Sequence, residues 1–129
     1  MENLYHIGRD NTSNEIYIID DSVSSSHAQI FIDENADLII IDLSSKNGVF
    51  INNNRIESQL KLEKEDVITL GNVSFTTHDL VNAIKIYEKM KKNGDNKNIS
   101  LISTIQKFNT KNKTKKKLIT KKSIVIMFI

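Results

Sequence analysis

Between residues 3 and 77 the chain is a succession of short apolar runs, each closed by a polar turn. Turns recurring every 8–12 residues or so are the pattern of an all-β sandwich or barrel. Leu4–Ile7 is the first run, and Glu15–Ile19 is the second, closed by Asp20-Asp21. Ala28–Ile32 and Leu38–Leu43 read as a hairpin around Asp33–Asp37. Val49–Ile51 and Arg55-Ile56 flank Asn52-Asn53-Asn54, a turn in which Asn takes positive φ. Val67–Leu70 and Val73–Thr77 flank Gly71-Asn72, a two-residue hairpin signal. Ile, Val and Phe dominate these runs and suit a pleated, half-buried surface. With no proline and only four glycines, the tight turns must lean on Asn and Asp. Leu38-Ile39-Ile40-Ile41 is apolar on both faces and predicts a central strand.

The period changes near Asp79. Leu80, Ala83, Ile84, Tyr87 and Met90 fall at helical spacing, with Asp79 as expected N-cap and Asn93-Gly94 as the stop. Lys89, Lys91 and Lys92 sit at the C-terminal end, where the helix dipole favours cations. Residues 95–122 are rich in Asn, Lys, Thr and Ser and predict a mostly mobile segment. The last six residues, Ile124–Ile129, are all apolar and too few to span a bilayer. The expected divisions are a sandwich over 1–78, a helix over 79–94 and a basic tail over 95–129.

Charge divides the same way. Residues 1–84 hold five Lys/Arg against fourteen Asp/Glu, a net of −9; residues 85–129 hold thirteen Lys against two acids, a net of +11. An acidic module followed by a basic tail is expected. There is no cysteine, which excludes disulfides and thiolate metal sites. Met1–Tyr5 lack a basic region followed by an apolar run, so no signal peptide is expected, and a cytoplasmic location is the default.

Two polar loops, Ser22–Ser26 and Ser44–Gly48, interrupt the apolar runs, and Gly8-Arg9-Asp10 stands just upstream. Hydroxyls, an amide, an arginine and a lysine on loops of a β scaffold suggest an anion-binding surface. The motifs G-R (8–9), S-x-x-H (24–27), S-x-N-G (45–48), Asn52 and L-x-x-E-D-V-I-T-L-G (62–71) follow in order over residues 3–78. In these the chain resembles forkhead-associated (FHA) domains, β-sandwiches of the FHA/SMAD-like type that bind phosphothreonine peptides through loops at one end and are not enzymes.

That resemblance implies roles. Arg9 would grip the phosphate, and a planar guanidinium offers parallel donors suited to that task. Ser24 would donate its hydroxyl. Ser25 stands where many members carry a basic or amide side chain, and Lys46 where threonine is frequent, so the ammonium of Lys46 is expected to supply charge that Ser25 lacks. Asn47 would clasp the peptide backbone, since an amide both donates and accepts. Gly8, His27, Gly48 and Asn52 would support the site, His27 by tying down the serine loop. A pocket for the threonine methyl is expected around Ser45–Asn47. The expected partner is a Thr-phosphorylated protein or peptide, and the expected role an adaptor in Ser/Thr kinase signalling, with no small-molecule substrate. Because the sandwich is acidic, attraction must be local, and peptides carrying further acids are expected to bind poorly.

Other readings compete. Ser24, His27 and Asp42 could be imagined as a hydrolase triad, but no G-x-S-x-G elbow is present. His6, His27 and His78 form no metal-ligand spacing, and neither metal nor cofactor is expected. Lys111, Lys113, Lys115, Lys116, Lys117, Lys121 and Lys122 offer an alternative function, contact with nucleic acid or an anionic surface. Phe108 alone provides aromatic stacking there.

Overall fold

The computed structural model describes residues 3–109. The Lys111 to Lys122 run and the apolar end Ile124–Ile129 lie outside the described residues.

Ten strands form two sheets. The larger is built around β1 (Leu4–Gly8), where Tyr5 and Ile7 are buried and Leu4 and His6 face out, the period-two alternation of a half-buried strand. β2 (Ile16–Tyr17) pairs parallel with β1, and β3 (Ala28–Ile32) pairs antiparallel on the other side. β3 turns through Asp33–Asp37 into β4 (Leu38–Asp42), with Ile30 opposite Ile40. The second sheet holds β5 (Val49–Ile51), β6 (Asn54–Arg55), β8 (Val67–Leu70) and β9 (Val73–Thr76), in the order β6-β5-β8-β9. Asn52 and Asn53 turn β5 into β6 with φ of 52° and 69°, as the Asn-rich turn requires. The buried faces meet in one core, with Tyr5, Ile7, Ile30 and Ile40 from one sheet and Val49, Ile51, Ile68, Leu70 and Phe75 from the other. Each fully buried aliphatic side chain contributes roughly 1.5–3 kcal/mol before entropy is charged against it.

Helix α1 (Thr77–Lys92) follows β9 and buries Thr77, Leu80, Ala83 and Ile84. Its N-cap is Thr76, not Asp79: the Thr76 hydroxyl accepts the Asp79 N–H, and the Asp79 carboxylate accepts the Thr76 N–H. Asp79 therefore serves at the third helical position of a reciprocal box. His78 is an exposed residue of this helix.

Leu38–Ile41, expected as a central strand, forms β4 inside its sheet, between β3 and β7 (Gln59–Lys61). Of its two apolar faces one is buried through Ile40, and Ile39 and Ile41 stay half-exposed on the other. One further expectation is corrected: the mobile segment expected from Asp95 is ordered over its first part. β10 (Ile99–Ser100) pairs parallel with β2, and a second helix, α2, spans 101–109. Ile99, Leu101 and Thr104 are buried, so three side chains spaced along a polar stretch dock it to the sandwich. β10 covers the edge that β2 would otherwise leave open, giving the order β10-β2-β1-β3-β4-β7.

Candidate functional site

The loops leaving β1, joining β2 to β3 and joining β4 to β5 meet at one end of the sandwich. Backbone hydrogen bonds lock the first two together: Arg9 N–H donates to the Ser24 carbonyl (2.9 Å) and His27 N–H to the Ile7 carbonyl (2.9 Å). Gly8 sits where they cross. A Cβ there would lie 2.2 Å from the Ser25 carbonyl oxygen, so only glycine admits this approach.

Arg9 is fixed by the serine loop. Its Nη1 donates to the Val23 carbonyl (2.5 Å) and its Nη2 to Ser25 Oγ (3.1 Å). The acids beside it are occupied elsewhere. Asp10 Oδ1 accepts the N–H (2.9 Å) and hydroxyl (2.8 Å) of Thr12, bonds that hold its pKa below the ordinary 3.8. Asp20 Oδ1 accepts the hydroxyl (2.5 Å) and N–H (2.9 Å) of Ser22, which lower its pKa in the same way. Among the described residues Arg9 has no carboxylate partner. A guanidinium with donors to spare and no counter-ion is prepared for an external anion.

Ser24 Oγ accepts the backbone N–H of Lys46 (3.1 Å), which leaves its own hydroxyl proton for a ligand. Ser25 is exposed and its hydroxyl oxygen accepts from Arg9, so it orients the guanidinium as well as facing solvent. Lys46 and Asn47 are exposed on the opposite loop. Asn47 Nδ2 donates to the Ser22 carbonyl (2.8 Å) and so bridges the two loops, while its Oδ1 takes no hydrogen bond among the described residues. Arg9, Ser24, Ser25, Lys46 and Asn47 thus gather at one end.

His27 is fully buried beneath them. Its Nδ1 accepts the Ser24 N–H (3.0 Å), so the proton is on Nε2, which donates to the Gly48 carbonyl (2.8 Å). Both ring nitrogens are committed to backbone, and Asp42 Oδ1 accepts the Ser45 N–H (3.0 Å) instead of orienting the imidazole. The triad geometry is therefore not present: His27 holds loops and does not face Ser24 Oγ as a base. Ser45 is itself buried, and its hydroxyl finds no partner among the described residues.

Asn52 does not join this group. It lies beyond the far end of β5, where its Oδ1 accepts the Val67 N–H (2.9 Å) and its Nδ2 donates to Asp66 Oδ1 (2.8 Å). It ties loops, but those at the opposite end. Conversely, two residues that sequence reasoning passed over are central. Asn14 is buried and its Nδ2 donates to the Asp10 (2.7 Å) and Ser25 (2.8 Å) carbonyls, clamping the Arg9 loop to the serine loop. Ser22 Oγ accepts the Asn72 N–H (2.7 Å), tying in the β8–β9 turn. Both are single polar residues in polar loops, and nothing local sets them apart. Among the described residues, no His, Cys, Asp or Glu cluster is arranged to hold a metal ion, and no helix is long and apolar enough to cross a membrane.

Comparison with known proteins agrees with this geometry. The family model for the FHA domain matches residues 5–71. The chain is similar to the crystal structure of the FHA domain of the CT664 protein from Chlamydia trachomatis, at 37% identity and a TM-score of 0.55, over 57% of this chain and 73% of that one. It is similar to Mycobacterium tuberculosis EmbR in complex with a low-affinity phosphopeptide, at 35% identity and a TM-score of 0.53, over 57% of this chain but only 19% of that one. It is also similar to the FhaA FHA domain complexed with the intracellular domain of Rv3910, at 31% identity and a TM-score of 0.53, over 57% of this chain and 78% of that one. No curated protein matches the sequence significantly.

Proposed function

The chain belongs to the FHA domain family, and from that premise we propose that it is a non-catalytic reader of phosphothreonine peptides serving as an adaptor in Ser/Thr kinase signalling. FHA domains recognise phosphothreonine peptides and are binding modules, not enzymes. The observation that carries the reading for this chain is the state of Arg9: oriented by Val23 and Ser25, without a carboxylate partner among the described residues, and adjacent to a serine whose hydroxyl proton is unspent.

In this reading Arg9 grips the phosphate through charge-assisted hydrogen bonds, and the Ser24 hydroxyl adds a further donor. Lys46 supplies a second positive charge from the facing loop, in place of the charge that Ser25 lacks. Asn47 offers its free Oδ1 to the peptide backbone. Gly8, His27 and Gly48 keep these groups in register. The partner is a Thr-phosphorylated protein, and the module works in the cytoplasm without cofactor or small-molecule substrate. The test is titration of a degenerate phosphothreonine peptide pool with the full chain and with Arg9→Ala. Binding should fall about a hundredfold or more in the variant, the size of a lost bidentate contact to a charged ligand, roughly 3 kcal/mol. Unchanged binding would place the phosphate elsewhere.

A further inference from the structure

Resting on the phosphopeptide reading, we propose that Arg55 is an additional specificity-determining residue, one that selects an Asp or Glu side chain flanking the phosphothreonine on the Asn47 side. Arg55 stands on β6, an edge strand, opposite Phe50. Its guanidinium folds over Gly48: a Cβ built on Gly48 would lie 2.8 Å from Arg55 Nε and 3.0 Å from Cζ. It therefore rests on the residue that follows Asn47.

Its lack of a partner is what calls for an external one. Arg55 is exposed and, among the described residues, makes no hydrogen bond or ion pair, although residues 1–84 carry fourteen acids. Lys61 on the same side of the molecule is paired with Asp37 (3.4 Å). Glu57, two residues along from Arg55, forms no ion pair with it. The guanidinium lies beside Gly48 and so already stands next to the Asn47 loop, where its planar fork can take a carboxylate. Arg55 also lines an open cleft of about 630 Å³ between the edge strands β6 and β7, but Glu57, Glu63 and Asp66 line it too, so a peptide carboxylate is expected to meet Arg55 on its Gly48 side and not inside the cleft.

The mean charge of the module argues the opposite, that acidic peptides bind poorly. Screening over about 8–10 Å discounts distant acids against a contact ion pair. The two arguments give opposite signs, which makes the experiment decisive. A phosphothreonine peptide library, degenerate at the flanking positions, is captured on the full chain and on Arg55→Gln. The parent should enrich Asp or Glu at one flanking position about fivefold, equivalent to roughly 1 kcal/mol. Arg55→Gln should lose that enrichment yet still capture phosphorylated peptides, and Arg55→Glu should shift it towards Lys or Arg. No acidic enrichment in the parent, or the same enrichment in Arg55→Gln, overturns the inference while leaving the phosphopeptide reading intact. Failure of the parent to capture any phosphorylated peptide overturns both.

Discussion

Replacing His27 with alanine separates a structural histidine from a catalytic one. The ring is fully buried and makes two hydrogen bonds, accepting from the Ser24 N–H and donating to the Gly48 carbonyl. Removing it orphans both backbone groups, at about 1–3 kcal/mol each. Ser24 is partly exposed, so water can reach its N–H and the cost there falls at the low end; the Gly48 carbonyl is buried and pays more. The emptied space adds a polar cavity that water partly refills. The total is about 3–4 kcal/mol, a large share of the roughly 5–15 kcal/mol that holds a domain together. For a domain of this size that lowers Tm by upwards of about 12 °C. Urea denaturation followed by circular dichroism measures it, with the exposed Ser26→Ala as control, expected within about 0.5 kcal/mol of the parent. Phosphopeptide affinity should fall with it, because the loop carrying Ser24 loses its tie to Gly48. A loss below about 1 kcal/mol would refute the argument that this ring holds two loops together.

The two serines of the same loop should part company. Ser24→Ala should weaken phosphopeptide binding about tenfold with little change in melting, whereas Ser22→Ala should cost about 1–2 kcal/mol of stability, through Asp20 and Asn72, with a smaller effect on binding. Paired melts and titrations of both variants check this. Acid should act through Asp20. Its pKa is depressed below 3.8 by the Ser22 hydroxyl and N–H, so the bonds stabilise the fold above the unfolded value and are lost as pH falls through the lower folded one. Melts between pH 5 and 2 should show a stability decrement below about pH 4 that is smaller in Asp20→Asn, and parallel curves would count against it.

The parts of the fold that could be read in advance are those fixed locally. The β3–β4 and β8–β9 hairpins follow from apolar alternation interrupted by Asp, Asn and Gly. What escaped was set by distant backbone. β7 is Gln59-Leu60-Lys61, exposed throughout, and exists because the β4 edge needs pairing. β10 is two residues in an Asn- and Lys-rich stretch, held by β2 across more than eighty positions. The helix start was misplaced because Thr76 and Asp79 are both capping residues and the reciprocal box uses both. In the site, the ordered motifs picked out Arg9, Ser24, Asn47 and His27, each of which belongs to the loop end. They also picked out Asn52, whose loop-tying amide serves the opposite end. Asn14 and Ser22 could not be distinguished from other loop polar residues, since their roles rest on hydrogen bonds to Ser25 and Asn72, 11 and 50 positions away. Arg55 was passed over because its approach to Gly48 depends on the pairing of β5 with β6.

The most direct measurement of the central claim is capture of matched peptide libraries on the full chain: phosphothreonine, phosphoserine and unphosphorylated. Phosphothreonine peptides should be retained, phosphoserine peptides about tenfold less, as befits one methyl group in a small pocket, and unphosphorylated peptides not at all. Phosphatase treatment should release what is bound, and Arg9→Ala should retain nothing while keeping the parent circular dichroism spectrum. Retention that survives phosphatase, or that is unchanged in a folded Arg9→Ala chain, would contradict it.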